Sequence, residues 1–311
     1  MKIFHSINDF HTTKKTILTL GTFDGVHIGH KKIIERLVLD AAASGGETVI
    51  LTFFPHPRMI LQDGTDIKLL NTLEEKSLLL EQCGIDHLII HPFDESFSKL
   101  RAEAFVQKIL VDQLHIHKII IGHDHRFGEN RTATIHELIS FGEKYHFEVE
   151  QISAEEINEV TISSTKIRNA LFEGNVSLAN QYLGYKYFLS GDVIKGMQIG
   201  RTIGFPTANL KIKEDYKLIP KEGVYIISAK IKDKTFFGMM NIGFKPTIPG
   251  ENYSLEVYFF NLNQDLYNET ITISFLERIR DEQKYDSIED LKIQIEKDKK
   301  FSLSFLNLEN E

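Results

Sequence analysis

The first half of the chain alternates short apolar runs with amphipathic stretches. The apolar runs predict strands at TILTLGTF, TVILTFF, HLIIHPF, KIIIGH and FEVEQIS. The amphipathic stretches predict helices at HKKIIERLVLDAAA, TLEEKSLLLEQC, RAEAFVQKILVDQL and ATIHELISFGEKYH. Because the strands are nearly continuous in apolar residues, we expect helices on both faces of a parallel sheet. Residues 1–183 are therefore predicted to form an α/β domain.

The pattern changes at about residue 184, where β-like segments separated by Gly and Asn turns replace the alternation. These segments are YFLSGDVIKG, GVYIISAKI, KTFFGMMNIG, SLEVYFF and TITISFLERI. A helical pattern returns only at SIEDLKIQIEKDKK. Residues 184–311 are therefore predicted to form a small β-barrel closed by a C-terminal helix, with LFEGNVSLANQYLG as the join between the domains.

The composition is that of a soluble globular protein. Of 311 residues, 42% are hydrophobic and 26% charged, and no long uncharged apolar run predicts a membrane span. The start, MKIFHSINDF, lacks the character of a secretion signal, and the single cysteine, Cys83, fits a reducing, cytoplasmic location. A formal charge of −8 argues against attraction to nucleic acid or anionic membranes. A phosphate-bearing ligand would therefore need a local site and a metal ion.

Three polar motifs follow predicted strands: GTFDGVHIGH at 21–30, FPHP at 54–57 and GHDHRFG at 122–128. In open parallel sheets, ligands bind beyond the carboxyl ends of the strands. We therefore expect all three motifs on one rim of the sheet.

The first motif combines glycines, a helix start and two histidines. Gly21 and Gly25 allow backbone to approach a ligand, Gly29 leaves space between the histidines, and a helix start offers unpaired N–H groups to phosphate. His27 and His30 lie one turn apart and could donate hydrogen bonds to a triphosphate attacked at its α-phosphorus. The alternative is a capped helix with two surface histidines.

A second phosphate-binding candidate is ISSTKIR, residues 162–168. Its three hydroxyls, with Lys166 and Arg168 at a predicted helix start, could hold an outgoing pyrophosphate. The alternative is ordinary N-capping by Ser and Thr. His56 could likewise only occupy a proline-fixed turn, and Asp124 with Arg126 could be a solvated loop pair. The expected position of all four segments on one rim favours a binding site.

The barrel half contains GRTIGFPTANL, which lacks the GK[ST] of a P-loop. Thr207 and Asn209 offer oxygen ligands suited to Mg²⁺ between ATP phosphates, although a strand-entry turn is the alternative. In SLEVYFFN, strand alternation places Glu256 on the same face as Tyr258 and Phe260. A carboxylate there indicates a cleft, unless Glu256 lies on an edge strand facing water.

The motifs xFDGxHxGH, FxPHP, GxD(x)RFG and SSTxIR, in this order, resemble the adenylyltransferase module of bacterial bifunctional riboflavin kinase/FAD synthetases. The second half resembles the riboflavin kinase module of the same family in the segments GRTIGFPTANL, GVY, NIGFKPT, LEVYFF, LY and IRDEQKYDSIEDL. The resemblance covers essentially the whole chain. The first motif alone is shared with many nucleotidyltransferases and, more loosely, with class I aminoacyl-tRNA synthetases.

For the first half, the resemblance implies a Rossmann-like nucleotidyltransferase domain in which His27 and His30 contact the ATP phosphates. It also implies pyrophosphate contacts from Ser164, Thr165 and Arg168. The further nucleotide-binding positions are Gly21, Phe23, Asp24, Gly29, His56 and Asp124.

For the second half, the resemblance implies that Glu256 is the general base that takes the proton from the ribityl hydroxyl. Thr207 and Asn209 would hold Mg²⁺. The nucleotide would also contact Gly200 and Gly204, and flavin contacts are expected from Arg126 in the first half and Arg280 in the second.

Three positions depart from the family pattern. His125 stands where an aromatic residue is frequent, which puts a stacking role there in doubt. Ile199 and Lys245 stand where Arg is common, so phosphate affinity could differ, whereas Glu256 and the metal ligands are retained.

The expected function is synthesis of FMN from riboflavin and of FAD from FMN, with ATP as the second substrate of both steps and Mg²⁺ in both. One alternative is a monofunctional FMN adenylyltransferase whose kinase half only binds flavin, against which Thr207, Asn209 and Glu256 argue. Another is a flavin sensor without turnover, for which loss of both histidines would be expected. A tRNA synthetase is disfavoured because the acidic chain shows no added basic domain.

Overall fold

The computed structural model describes residues 1–61, 67–123, 125–153, 162–196, 200, 203–244 and 253–308. The chain divides into two compact units, Met1–Ser164 and Thr165–Glu311. A division by compactness does not establish which segments fold independently, so the boundary between residues 183 and 184 stays a prediction. Across the described segments, no helix is long and apolar enough to cross a membrane.

The first unit is built on a six-stranded, wholly parallel sheet. Its strands are β1 Lys2–Phe4, β2 Thr16–Leu20, β3 Glu47–Phe54, β4 His87–Pro92, β5 Ile116–Gly122 and β6 Glu148–Ile152. The order across the sheet is β1-β4-β3-β2-β5-β6. The chain thus builds the sheet outwards from β2 in one direction through β3 and β4, and in the other through β5 and β6. The predicted strands are confirmed, and β1 is an addition to them.

The helices of this unit are α1 Ile28–Ser44, α2 Pro57–Leu61, α3 Leu73–Gln82, α4 Glu95–Ser98, α5 Ala102–Phe105 and α6 Ile135–Tyr145. A π-helix, Val106–Val111, continues α5, and 3₁₀ turns lie at Ile7–Asp9 and Glu129–Arg131. Every residue of β2 is buried, as expected for a central strand covered on both faces. Helix α1 buries Ile33, Ile34 and Leu37 on one side. This packing fixes the N-terminal end of α1 close to the end of β2.

The second unit contains a closed, six-stranded antiparallel barrel. Its strands are β7 Phe188–Ile194, β8 Ala208–Lys211, β9 Gly223–Ile231, β10 Lys234–Phe244, β11 Tyr253–Phe259 and β12 Thr270–Arg280. They close in the order β10-β11-β8-β7-β12-β9. Helix α7 Ser164–Phe172 begins with the last residue of the first unit; α8 Val176–Leu183 precedes the barrel and α9 Ile288–Phe305 follows it. The predicted fold class, a parallel α/β sheet followed by a small barrel with a C-terminal helix, is confirmed.

Strand β11 shows how the barrel separates its core from its outer surface. Leu255, Val257 and Phe259 are buried, whereas Glu256 and Tyr258 between them are half-buried. This is the predicted alternation. Ile295 and Leu303 of the terminal helix α9 and Tyr258 of β11 pack against a cluster of buried Val224, Met239 and Phe260. The outer face of β11 therefore carries both apolar packing and polar side chains.

Candidate active sites

The first candidate site lies where the strand order of the sheet reverses, between β2 and β5. Strands β2 and β5 are neighbours, but the chain continues from β2 to β3 towards one edge of the sheet and from β5 to β6 towards the other edge. Such a switch point leaves a crevice beyond the carboxyl ends of the two strands. Residues 21–30 follow β2, residues 55–57 follow β3 and Arg126 follows β5, so the described parts of the three motifs share this rim as predicted. Asp124 lies outside the described residues.

The loop after β2 has an uncommon backbone. Phe23, Gly25 and Val26 have φ values of 46°, 90° and 36°. The left-handed region is unfavourable for residues with a Cβ, most of all for β-branched Val26, so the surrounding structure must hold this loop in place. The side chains of Phe23, Asp24 and Val26 are all buried. The predicted nucleotide positions Phe23 and Asp24 are therefore part of the loop's framework.

Hydrogen bonds from other elements hold the same loop. The carbonyl oxygen of Thr22 accepts from Lys76 Nζ at 2.8 Å and from Thr52 Oγ1 at 3.3 Å. Asp24 is held as well: its Oδ1 accepts from the backbone N of Leu70 at 2.9 Å, and its carbonyl oxygen accepts from Ser164 Oγ at 2.9 Å. Strand β3, helix α3, the segment before α3 and the first residue of α7 thus each contact the loop.

His27 and His30 are stacked at the start of α1. Their ring centroids are 3.6 Å apart and the ring planes differ by 17°. His27 is the N-cap residue, and its Nδ1 accepts from the backbone N of His30 at 3.3 Å. Because Nδ1 is an acceptor, the proton of neutral His27 is assigned to Nε2, which is a donor. Among the described residues, the buried Nδ1 of His30 has no hydrogen-bond partner.

Burial keeps both imidazoles neutral at physiological pH. It lowers the pKa of His27 from 6.5 to about 4, although the charge of Asp24 acts in the opposite direction. The pKa of His30 is well below its usual value because of burial, and the charges of His27 and Lys76 lower it further. The two neutral rings thus lie at the N-terminal end of α1, where backbone N–H groups and the helix dipole favour an anion.

The other predicted residues of the first site follow β3 and β5. His56 follows a cis Phe54–Pro55 peptide bond, and its Nδ1 accepts from the backbone N of Arg58 at 3.1 Å. Arg126 is exposed, and the ring of His125 lies nearly parallel to that of Phe127 at 6.3 Å between centroids.

The predicted helix start in ISSTKIR is confirmed, since α7 begins at Ser164. Thr165 is exposed on the first turn, whereas Arg168, one turn later, is buried. In the opening motif, Gly21 donates its N–H to the carbonyl oxygen of Leu51 at 3.1 Å, and Gly29 is buried within α1.

The second candidate site is set by strand register on the outer face of the barrel. Glu256 on β11 lies directly opposite Asn209 on β8 and, on its other side, opposite Asn241 on β10. Residues paired across antiparallel strands project to the same face, so the carboxylate lies between two amides. Ser254 Oγ also donates to Glu256 Oε1 at 2.9 Å. Asn241 was not predicted from the sequence as a site residue. It is the first residue of the NIGFKPT segment, and that motif could have identified it.

The backbone near Asn209 allows little space for other side chains. A Cβ at Gly196 would lie 2.1 Å from Asn209 Nδ2, and a Cβ at Gly200 would lie 2.2 Å from the carbonyl oxygen of Phe205. Gly200 and Phe205 are also joined by a hydrogen bond, in which Phe205 N donates to Gly200 O at 2.8 Å and closes a turn. Gly204 lies on the exposed part of this turn, and Thr207 follows it at the entry to β8.

The residues around this turn fit a magnesium ion chemically. Thr207 supplies a hydroxyl and Asn209 an amide oxygen, which are hard ligands, and Mg²⁺ normally completes its shell with waters and substrate phosphates. Within the described ranges, no group of three His, Cys, Asp or Glu residues could hold a metal ion. A magnesium site here would therefore depend on Thr207, Asn209 and the nucleotide.

Arg280, predicted to contact flavin, is held by the terminal helix. Its Nε and Nη2 donate to the carboxylate of buried Asp298 at 2.7–3.1 Å, and its Nη1 donates to the carbonyl oxygen of Asp281 at 3.0 Å. The guanidinium also lies 5.9 Å from the ring centroid of Tyr285. Its contact with flavin stays a prediction. Ile199 and Lys245 lie outside the described residues.

Comparison with known proteins finds a family match for each half of the chain. The family model for FAD synthetase matches residues 9–166, and that for riboflavin kinase matches residues 183–306. The bifunctional riboflavin kinase/FMN adenylyltransferase of Listeria monocytogenes is 37% identical, over 96% of this chain and 94% of its own length. The Escherichia coli K12 enzyme of the same name is 33% identical over 99% of both chains.

A solved structure also matches along the whole chain. It is described as a macrolide-efflux protein from Streptococcus pneumoniae, with 30% identity and a TM-score of 0.88 over 97% of this chain and 98% of its own. The fold is therefore shared at full length, and the sequence relatives supply the activity. On the two family models and the full-length relatives, the chain belongs to the bifunctional riboflavin kinase/FAD synthetase family.

Proposed function

We propose residue roles for the two reactions of this enzyme. The first reaction transfers the γ-phosphoryl group of ATP to riboflavin and gives FMN. The second transfers AMP from another ATP to FMN and gives FAD and pyrophosphate. The proposal rests on one observation: the chain retains both a histidine pair at a helix start and a carboxylate opposite Asn209 in the barrel.

In the first unit, we assign the adenylyl transfer to the crevice beyond β2 and β5. A phosphate oxygen of FMN attacks the α-phosphorus of ATP, and the bond to the bridging oxygen of pyrophosphate breaks. His27 and His30 donate N–H groups to phosphate oxygens as negative charge is redistributed, aided by the N-terminal end of α1. Each neutral ring carries one N–H group, on Nε2 in His27, and can therefore donate one hydrogen bond.

We assign the remaining predicted positions of this reaction to binding. Ser164, Thr165 and Arg168 hold the leaving pyrophosphate, and Arg126 contacts the flavin. The residues proposed to surround the nucleotide are Gly21, Phe23, Asp24, Gly29, His56 and Asp124. The buried positions of Phe23 and Asp24 support a role in shaping the backbone that the nucleotide contacts.

In the barrel, we assign the proton transfer to Glu256. Its carboxylate accepts the proton of the terminal ribityl hydroxyl as that oxygen attacks the γ-phosphorus of ATP. Thr207 and Asn209 would hold Mg²⁺, which neutralises charge on the ATP phosphates when bound. Gly200 and Gly204 shape the turn next to the nucleotide, and Arg280 lies among the flavin contacts. We place both reactions in the cytoplasm, where ATP is available and Cys83 stays reduced, without a nucleic-acid or membrane partner.

A time course tests this assignment. Riboflavin and Mg-ATP are incubated with the enzyme, and the flavins are separated by chromatography. The expected order is a rise of FMN followed by FAD. A chain that makes FAD from supplied FMN but no FMN from riboflavin would contradict the kinase assignment and support a monofunctional adenylyltransferase.

A further inference from the structure

Lys76 is a buried lysine next to the first candidate site. It lies on α3, and only 4% of the residue is exposed. Lysine is almost never fully buried unless its ammonium has a partner, because desolvation of the charge is expensive. An apolar side chain of similar length would pack at this position without that penalty, so the explanation for Lys76 lies in what it contacts.

The ammonium group contacts the loop that leads to the histidines. Lys76 Nζ donates to the carbonyl oxygen of Thr22 at 2.8 Å. Thr22 directly precedes Phe23, the first residue with a left-handed backbone. A charge-assisted hydrogen bond at this point restrains the orientation of the peptide plane where the loop leaves the sheet. The loop reaches His27 only four residues after Phe23.

Lys76 also belongs to a small group of buried ionisable side chains. The charge of Asp24 favours the ammonium form, but burial dominates and lowers the pKa of Lys76 to about 8. The charge of Lys76 in turn lowers the pKa of His30, together with burial and His27. Lys76, Asp24 and His30 are thus electrostatically coupled, although they come from different segments of the chain.

We propose that Lys76 is a positioning residue for adenylyl transfer, whose ammonium holds the Thr22 carbonyl and thereby keeps His30 oriented towards the reacting phosphates. This inference rests on the proposed role of His30. Lys76 acts through the loop and the histidine rather than by touching the substrate. Displacement of a positioned group by about 1 Å is enough to slow a reaction about 100-fold.

A double-mutant cycle tests the proposal. The variants are Lys76→Met, His30→Ala and the double variant, assayed for FAD formation from FMN and ATP. With His30 present, Lys76→Met is expected to lower kcat about 10- to 100-fold, with a smaller change in KM for ATP. In the His30→Ala background, the same substitution is expected to lower kcat less than about threefold, since its effect passes through the missing ring.

Two controls separate this effect from a general loss of stability. Lys76→Met must leave riboflavin phosphorylation unchanged in the same preparation. Lys217→Met removes a second lysine that is buried in the described part of the chain, 2% exposed and 4.6 Å from the ring centroid of Tyr187 in the barrel unit, and should leave FAD formation unchanged. If Lys76→Met does not fold, as judged by thermal unfolding, Lys76→Leu supplies the cycle, because it also removes the ammonium and its hydrogen bond to Thr22.

The outcomes distinguish this inference from the proposed function. An equal loss of kcat from the Lys76 substitution in both backgrounds, or a full FAD rate in the folded Lys76 variant, would overturn the positioning role. A normal FAD rate in His30→Ala would instead remove His30 from the proposed mechanism. The positioning role through His30 would then fall with it.

Discussion

The two candidate sites are assembled in different ways. In the α/β unit, His27 and His30 belong to one continuous segment, and left-handed backbone at Phe23, Gly25 and Val26 carries the chain into it. In the barrel, Glu256 acquires its neighbours from separate strands, with Asn209 on one side and Asn241 on the other. The first site depends on local backbone conformation, whereas the second depends on register between strands.

This difference determines which changes should harm each site. A loop with unfavourable φ angles needs support from outside, and here Lys76, Thr52 and Leu70 supply it through hydrogen bonds to Thr22 and Asp24. Strand β11 is paired with β10 along its whole length and with β8 at Glu256 and Val257, so strand pairing itself places its side chains. We therefore expect sensitivity to remote substitutions in the first site and sensitivity to close steric contacts in the second.

The largest effect is expected for the carboxylate of the barrel. Glu256→Gln keeps size and hydrogen-bonding reach but cannot accept a proton, so riboflavin phosphorylation should fall about 100- to 10,000-fold. FAD formation from supplied FMN should not change. Both rates are measured on one preparation, and flavin binding is followed by fluorescence. A near-normal kinase rate would refute the base assignment, and loss of flavin binding would make Glu256 structural.

A somewhat smaller effect is expected for the histidine pair. His30→Ala removes one donor to the charged phosphates, and loss of one such donor typically slows a reaction about 100- to 1000-fold. FAD formation should fall by this amount while FMN formation from riboflavin barely changes. Steady-state rates with FMN and with riboflavin as the flavin substrate provide the comparison. An FAD rate within a few-fold of the unmodified enzyme would exclude His30 from the mechanism.

A steric change should sharpen the comparison from the barrel side. In Gly196→Ala, the added Cβ would lie 2.1 Å from Asn209 Nδ2, so the amide must move. Because the clash is with the end of a side chain, the unfolding temperature should change little. Riboflavin phosphorylation should fall about 10- to 100-fold, as expected when a binding group is displaced. Unchanged kinase activity would show that the position of the Asn209 amide does not matter.

The smallest effect is a pH dependence of stability that arises from His27 in the first site. The pKa of His27 is about 4 in the folded chain, against 6.5 as the usual value. The unfolded chain therefore binds more protons between these values, and stability is lost as pH falls. Between about pH 7 and pH 5, His27 should lower the free energy of unfolding by about 2 kcal/mol, and this fall should be absent in His27→Gln. Urea unfolding followed by circular dichroism measures the difference, and parallel pH profiles would contradict it.

The sequence predicts the elements of the fold better than the contacts between them. Long apolar runs such as those of β2 and β5 are recognisable because both faces of a central parallel strand are buried. The short strands β1 and β8 are not, since three or four residues carry little periodicity and Asn209 in β8 is polar. Both short strands exist because neighbouring strands pair with them.

Some candidate residues can be recognised from the sequence, whereas others become candidates only through contacts in the structure. His27, His30 and Glu256 are detected because their motifs are specific. Lys76 is not, because a lysine in the helical pattern LEEKSLLL is normally taken to face solvent, and only the packing of α3 reveals its burial. Asn241 becomes a candidate only through the register of β10 with β11.

The central claim is that two chemically separate sites in one chain perform consecutive reactions, joined by FMN. Mixing the Glu256→Gln and His30→Ala variants with riboflavin and Mg-ATP tests it most directly. His30→Ala alone should accumulate FMN, and Glu256→Gln alone should leave riboflavin unchanged. The mixture should produce FAD, because FMN released by the His30→Ala variant is adenylylated by the Glu256→Gln variant. No more FAD from the mixture than from the separate variants would contradict the assignment of each reaction to its own residues.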